Sequence, residues 1–372
     1  MSGPSSPVKG RGATFNPANR FRREEREAVD DGWTAPSAPA ESDAEYGGDE
    51  APPPLKTTVT IVRARSIIAH NESPDIPFNQ SINPYQGCEH GCIYCYARPS
   101  HAYLDLSPGL DFETKLYAKP DAAELLKAEL SRPGYVCDPI ALGTNTDPYQ
   151  PLEREWKVTR SIIQVLAACN HPLTITTKGA LADRDIDLLA PLGKQKLVHV
   201  FVSVTSLDNR LASTLEPRAS APHRRLKAVE TLNAAGVPCG VMVAPIIPMV
   251  TDKYLEKILE GAAQAGATAA GYTIVRLPYE LKHLFREWLA LHVPERTEHV
   301  MSLIQQMRGG RDNDANFGSR MRGEGQFAEL IRQRFQLACR KYGIDRGRPV
   351  RLDTTRFTVP RAPSPQRDLF CG

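Results

Sequence analysis

Three cysteines stand within eight residues in the stretch NPYQGCEHGCIYCYARPSH, at Cys88, Cys92 and Cys95. Thiolates are ligands for soft metals, so this C-x3-C-x2-C spacing points to zinc or to an iron–sulfur cluster. A closed structural site takes four ligands. For zinc, His90 or His101 could supply the fourth. For a cluster, three thiols leave one iron open to something that is not protein. Gly87 and Gly91 flank the first two ligands, and the stretch is otherwise polar, as a ligand-bearing loop should be.

The elements that must hold this loop can be read from hydrophobic patterning. From Lys56 onward, short β-branched runs alternate with amphipathic segments. SINPYQG, PIALGT, LTITT, LVHVFVSV, CGVMVAP and AAGYTIV read as strands bounded by Gly or Pro. AELLKAELSR, WKVTRSIIQVLAAC, DIDLLAPL, HRRLKAVETLNAAG and YLEKILEGAAQAG read as helices, their apolar residues recurring every three to four positions. Six βα repeats imply an α/β fold with a parallel sheet, either doubly wound or a partial (β/α)6 TIM-like barrel. Polar residues cluster where each strand ends, the side on which such folds bind ligands.

The expected organisation is a disordered N-terminal arm over 1–56, a barrel over 57–290, and a helical, basic C-terminal extension with a flexible tail over 291–372. The arm carries DDGWTAPSAPAESDAEYGGDEAPPPL, with seven acids and no base, which cannot build a core. The extension carries TEHVMSLIQQMR and GQFAELIRQRFQLACRKYG as probable helices. From Arg308 to the end there are fourteen Lys or Arg against seven Asp or Glu, so the chain's net +3 conceals a basic C-terminal region. Such a region either attracts phosphates or is a solvated helix surface. No apolar run approaches the roughly 20 residues that span a bilayer, and the N-terminus lacks a secretory apolar core, so no membrane association and a cytoplasmic location are expected. Eight cysteines are too few for a disulfide scaffold, which also suits a reducing compartment.

With an aromatic residue before its last cysteine, Cys88, Cys92, Tyr94 and Cys95 resemble the defining motif of radical S-adenosylmethionine (SAM) enzymes. The resemblance implies a [4Fe–4S] cluster on the three cysteines, with SAM chelated to the fourth iron and cleaved reductively to methionine and a 5′-deoxyadenosyl radical. It also implies an electron donor such as flavodoxin or ferredoxin. Further stretches resemble the spore photoproduct lyase-like group, and within it an uncharacterised bacterial family: GTNTDPYQPLE, ITTKG, VSVTSLD, LEPRA and VAPIIPMVTD. By that resemblance Tyr94 lies by the adenine, and Thr144, Asn145, Thr146 and Asp147 receive the SAM amino group. Ser203 and Arg218 then face the ribose and carboxylate, with Lys178 as a further cofactor contact. Asp147 in its Asp-Pro dipeptide equally fits a local turn, and Lys178 a solvated strand end.

Tyr94 and Tyr96 flank Cys95 as tyrosines do in spore photoproduct lyase, where they are implicated in passing a hydrogen atom. The thiol donor that the lyase carries at the end of its second strand has no counterpart here, because that place falls at Gly143 and Thr144. Cys137 precedes its strand and is expected at the closed end of the barrel; with Cys169, Cys239 and Cys339 it reads as a buried structural thiol. Two features bear on partners. RGGRDNDANFGSRMRGEG offers Arg308, Arg311, Arg320 and Arg322 to phosphates, or orders itself through salt bridges. The tail's Gln366, Leu369 and Phe370 resemble a sliding-clamp docking pentapeptide. The sequence therefore supports a radical SAM enzyme acting on an unknown substrate that includes nucleic acid among its candidates. The alternative is a cluster-containing nucleic-acid-binding protein without SAM turnover.

Overall fold

The computed structural model describes residues 7–21, 55–346 and 351–360. All six expected strand runs form, as Gln80–Ile82, Ile140–Leu142, Leu173–Thr177, Val198–Ser203, Cys239–Ile246 and Ala269–Ile274. They lie side by side in chain order and parallel, forming a partial (β/α)6 TIM-like barrel. The antiparallel strand Ala69–His70 covers one edge and the parallel strand Asp345–Arg346 the other.

These strands form because helices cover one face and side chains fill the other. Val200, Val202 and Val241 are fully buried, each contributing about 1.5–3 kcal/mol of apolar burial. Local chemistry sets the helix boundaries. Asp208 caps Asn209–Leu215 by accepting from the backbone N–H groups of Arg210 and Leu211. Pro222 opens Pro222–Ala234, and Gly343, at φ 68°, ends Gly325–Tyr342.

Three features depart from the sequence reading. SINPYQG yields two strands, because the chain leaves the barrel at Asn83 and Pro84. Tyr85–Gln86 then pairs antiparallel with Lys115–Ala118, which is parallel to Thr58–Ile61. A helix not anticipated, Leu281–His292, buries Leu281, Leu284, Phe285, Trp288 and Leu289 and runs across the boundary expected at 290. Within the stretch read as an unstructured arm, residues 7–21 pack on the barrel through hydrogen bonds, not through a hydrophobic run: Thr14 donates to Glu287 and Arg20 pairs with Glu280.

The helical C-terminal extension completes the core. Ile331, Phe335 and Cys339 of Gly325–Tyr342 pack with Leu255, Ile258 and Leu259, and Arg334 reaches Glu256 at 2.7 Å. Of the four loop arginines, two are consumed structurally. Arg308 is buried and donates to the carbonyls of Val275, Ser319 and Arg320, and Arg320 binds Asp75 at 2.6 Å. Arg311 and Arg322 remain exposed. The Gln366, Leu369 and Phe370 motif lies outside the described residues. Among the described residues no helix is long and apolar enough to cross a membrane.

Candidate radical SAM site

The cysteine loop follows Tyr85–Gln86 and is shaped by two left-handed glycines, Gly87 at φ 76° and Gly91 at φ 66°. A Cβ on Gly91 would lie 2.7 Å from the Glu113 carboxylate, so glycine is required by space as well as conformation. Successive turns carry Cys95 N–H to the Cys92 carbonyl at 3.2 Å and Arg98 N–H to the Cys95 carbonyl at 3.1 Å. Beneath them lies Arg98, fully buried, whose guanidinium donates to the carbonyls of Cys92 at 2.8 Å and Gly91 at 3.0 Å and pairs with buried Glu113.

Burial pushes the Cys88, Cys92 and Cys95 thiols above the usual range. The Asp147 carboxylate and the other thiols add to this at Cys88, and Glu216 adds to it at Cys92. Lys178 opposes the effect at Cys92 and Cys95. Three thiols, Cys88 and Cys92 buried and Cys95 half-buried, that feel one another's charge beside cations form a donor set that ionises when a metal displaces the protons. Both histidines considered as a fourth zinc ligand have other neighbours. His101 bonds the Lys115 carbonyl at 2.9 Å, and His90 Nδ1 lies 3.2 Å from Asp147. Three free thiols on one loop are the donor chemistry of a multi-iron cluster, in which each iron takes its own thiolate.

The remaining expected site residues gather at the strand ends, in arrangements of differing character. Asn83, one residue past the first barrel strand, is a hub that sequence reasoning missed. Its side-chain amide oxygen accepts from Asn145 N–H at 3.0 Å, Thr146 N–H at 3.3 Å and Thr144 Oγ1 at 3.4 Å. Asp147 is saturated. One oxygen accepts from Tyr149 N–H and Thr177 Oγ1, and the other from Lys178 N–H at 2.6 Å, with His90 alongside. Burial alone would raise its pKa, yet His90 and these hydrogen bonds hold it at about 2. Through these bonds Asp147 ties the second strand end to the third, the local role that its Asp-Pro dipeptide also fits.

The two tyrosines diverge. Tyr94 is buried, its hydroxyl held by Glu216 and by Thr205 at 3.1 Å. Glu216 in turn pairs with buried Arg225, which donates to the Ser203 carbonyl at 3.1 Å. Tyr96 is half exposed and donates to the Thr144 carbonyl. Lys178 Nζ stands 5.8 Å from the Tyr94 ring centre. Ser203 is buried at the end of its strand. Arg218 is engaged by the cysteine loop itself, pairing with Glu89 at 3.1 Å, and lines an outer cleft of about 320 Å³ with His90, Arg154 and Arg224.

A second residue that the sequence did not single out is Arg276, just past the sixth strand. Its guanidinium stands 6.0 Å from the Tyr96 ring centre. Its Nε is buried without an acceptor, and its Nη1 donates to the Met321 sulfur at 3.8 Å. No side chain can be accommodated at Gly143, where a Cβ would meet the Thr176 carbonyl oxygen at 2.0 Å. Cys137 lies before the second strand, as expected, but it is half-buried and not buried. Cys169, Cys239 and Cys339 are buried as expected.

The radical SAM superfamily profile matches residues 82–262, which include the cysteine loop and the strands around it. An uncharacterised protein of Mycobacterium tuberculosis is 40% identical over 232 residues, covering 62% of this chain and 68% of the relative. An uncharacterised protein of Methanocaldococcus jannaschii is 26% identical over 197 residues, covering 53% and 71%. Among solved structures, spore photoproduct lyase complexed with dinucleoside spore photoproduct superposes with a TM-score of 0.55 at 16% identity, over 76% of this chain and 79% of that one. A mutant of that lyase with bound AdoMet and dinucleoside spore photoproduct gives 0.54 at 16% identity, over the same shares. The chain belongs to the radical SAM superfamily and is an enzyme of that class. The superfamily implies an iron–sulfur cluster and SAM.

Proposed function

We propose that Cys88, Cys92 and Cys95 hold a [4Fe–4S] cluster and that the chain reductively cleaves SAM to act on an anionic substrate, nucleic acid being the class we favour. The observation that carries the cluster assignment is the set of three thiols, two buried and one half-buried, on one glycine-shaped loop anchored from beneath by Arg98. When bound and reduced, the cluster supplies the electron that breaks the SAM sulfonium bond and yields a 5′-deoxyadenosyl radical. An external donor such as flavodoxin or ferredoxin supplies that electron.

In this reading the protein groups divide by depth. Tyr94, fixed by Glu216, forms a rigid wall beside the adenine, and Lys178, near both the Tyr94 ring and the thiols, offers its charge to the SAM carboxylate. Thr144, Asn145 and Thr146, aligned by Asn83, face the amino group, while Asp147 ties their turn to the end of the third strand. Ser203 serves the ribose. Arg218 acts by holding Glu89 of the cysteine loop. Tyr96 is the tyrosine open to a substrate and the one suited to pass a hydrogen atom.

The nucleic-acid assignment is supported by exposed rings beside cations. Arg20 lies 4.5 Å from the Phe21 ring centre, 5.1 Å from that of Tyr103 and 4.3 Å from that of Tyr279, and Arg276 stands by Tyr96 without a carboxylate partner among the described residues. Such surfaces stack bases and attract phosphates. The lyase whose fold is shared has been captured with a dinucleoside spore photoproduct.

The test is anaerobic reconstitution followed by reduction with dithionite in the presence of SAM and short single-stranded DNA. Iron at about four per chain and 5′-deoxyadenosine are expected. A protein that holds the cluster and binds DNA yet forms no 5′-deoxyadenosine is the alternative, a binding protein without turnover.

A further inference from the structure

The N-terminal segment reaches the underside of the cysteine loop. The backbone N–H groups of Gly12 and Ala13 each donate at 2.9 Å to one oxygen of the Glu113 carboxylate. Arg11 donates to the Glu113 carbonyl at 2.9 Å and to Thr57 Oγ1 at 2.9 Å, and Thr57 passes the contact to Glu89 of the loop at 3.0 Å. Gly12 lies so close that a Cβ there would sit 1.9 Å from the Gly91 carbonyl oxygen. Glu113 and Arg98 are both fully buried, and Arg98 holds the Gly91 and Cys92 carbonyls. Two chains of contacts therefore run from residues 11–13 to the ligand loop, one through Glu113 and Arg98 and one through Thr57 and Glu89.

We propose that residues 11–13 and the Glu113–Arg98 pair are positioning residues of the metallocentre, clamping the cysteine loop from below so that its three thiols stay registered on one cluster. They act through the Gly91 and Cys92 carbonyls that the Arg98 guanidinium holds, and the Arg98 backbone N–H also reaches the Cys95 sulfur. Without the segment, the Glu113 carboxylate loses both backbone donors while remaining beside the buried guanidinium. A buried ion pair that loses its satisfying hydrogen bonds ceases to be a fixed support. This inference rests on the assignment of an iron–sulfur cluster to Cys88, Cys92 and Cys95.

The experiment uses the full chain after anaerobic reconstitution, with Gly12→Leu and Glu113→Gln compared with the parent. Gly12→Leu pushes the segment off the loop while leaving the three ligands, Glu113 and Arg98 as they are in sequence. Its iron is expected to pass to a ferrous chelator at least about tenfold faster, the scale of supporting-shell changes at metal sites. Glu113→Gln leaves Arg98 unbalanced beside the loop, and the added positive charge favours the reduced cluster, so the midpoint potential read by redox titration is expected to rise. Should Glu113→Gln not accumulate as folded protein, Arg98→Lys replaces it in the chelator assay; it keeps the charge but loses the fork on the Gly91 and Cys92 carbonyls, and faster release supports the clamp. Parental release rates in Gly12→Leu, or an unchanged or lower potential in Glu113→Gln, overturn the proposal. A parent chain that takes up no iron overturns instead the cluster assignment beneath it.

Discussion

Replacing Asp147 with asparagine separates two roles that its position at a strand end would allow. The carboxylate accepts from Tyr149 N–H at 2.9 Å, Thr177 Oγ1 at 2.6 Å and Lys178 N–H at 2.6 Å, with His90 at 3.2 Å. Its side chain is 10% exposed, so water screens little of this. Its pKa falls from 3.8 to about 2 on folding. The ionised form therefore stabilises the fold above about pH 4, and that contribution is lost as pH falls toward 2. The depression is worth about 2 kcal/mol at neutral pH. An asparagine that turns its NH2 toward a backbone donor loses about 1–3 kcal/mol more. Urea unfolding of the cluster-free chain by circular dichroism should show Asp147→Asn less stable by at least about 2 kcal/mol at pH 7, with the gap narrowing at pH 3. Parental stability at pH 7 together with lost SAM binding would refute this reasoning and return Asp147 to the cofactor's amino group.

Cys137→Ala should leave 5′-deoxyadenosine formation at the parental rate with the cluster retained, since the thiol lies before its strand and away from the mouth; lost turnover with full iron would show that it donates hydrogen. Arg276→Gln should weaken binding of a short single-stranded oligonucleotide by about tenfold in a filter or anisotropy assay while uncoupled SAM cleavage persists. Unchanged oligonucleotide affinity would remove Arg276 from substrate binding. Because burial raises the three ligand thiols, iron uptake must release protons, and reconstitution followed by visible absorbance should slow as pH is lowered from about 8.5 to about 7. A pH-independent rate would mean the thiols are already ionised.

The barrel was legible because buried parallel strands are short, β-branched and bracketed by Gly or Pro, and each of the six runs became a strand. The cysteine loop was legible because ligand spacing is local. What supports the loop was not. Arg98 and Glu113 are fifteen residues apart, and Glu113 meets Gly12 across 101 residues, so neither pairing leaves a periodic signal. The same holds for Asn83 serving Thr144 to Thr146, and for Glu216 joining Tyr94 to Arg225. Residues 7–21 escaped notice because they contribute backbone donors and polar side chains where hydropathy looks for apolar ones. Leu281–His292 was overlooked although Leu281, Leu284, Phe285, Trp288 and Leu289 fall at helical spacing. For Asp147, residue type suggested a ligand contact or a turn, and only the geometry showed its ties to Tyr149, Thr177 and Lys178.

The central claim is that three thiols on this loop hold a cluster that cleaves SAM. Its most direct test is the yield of 5′-deoxyadenosine from anaerobically reconstituted, reduced protein supplied with SAM, with Cys88→Ala, Cys92→Ala and Cys95→Ala alongside. The account predicts 5′-deoxyadenosine and methionine from the parent chain and none from any of the three variants, each of which also loses its iron. A parent chain loaded with iron that leaves SAM intact, or a cysteine variant that cleaves it as well as the parent does, would contradict it.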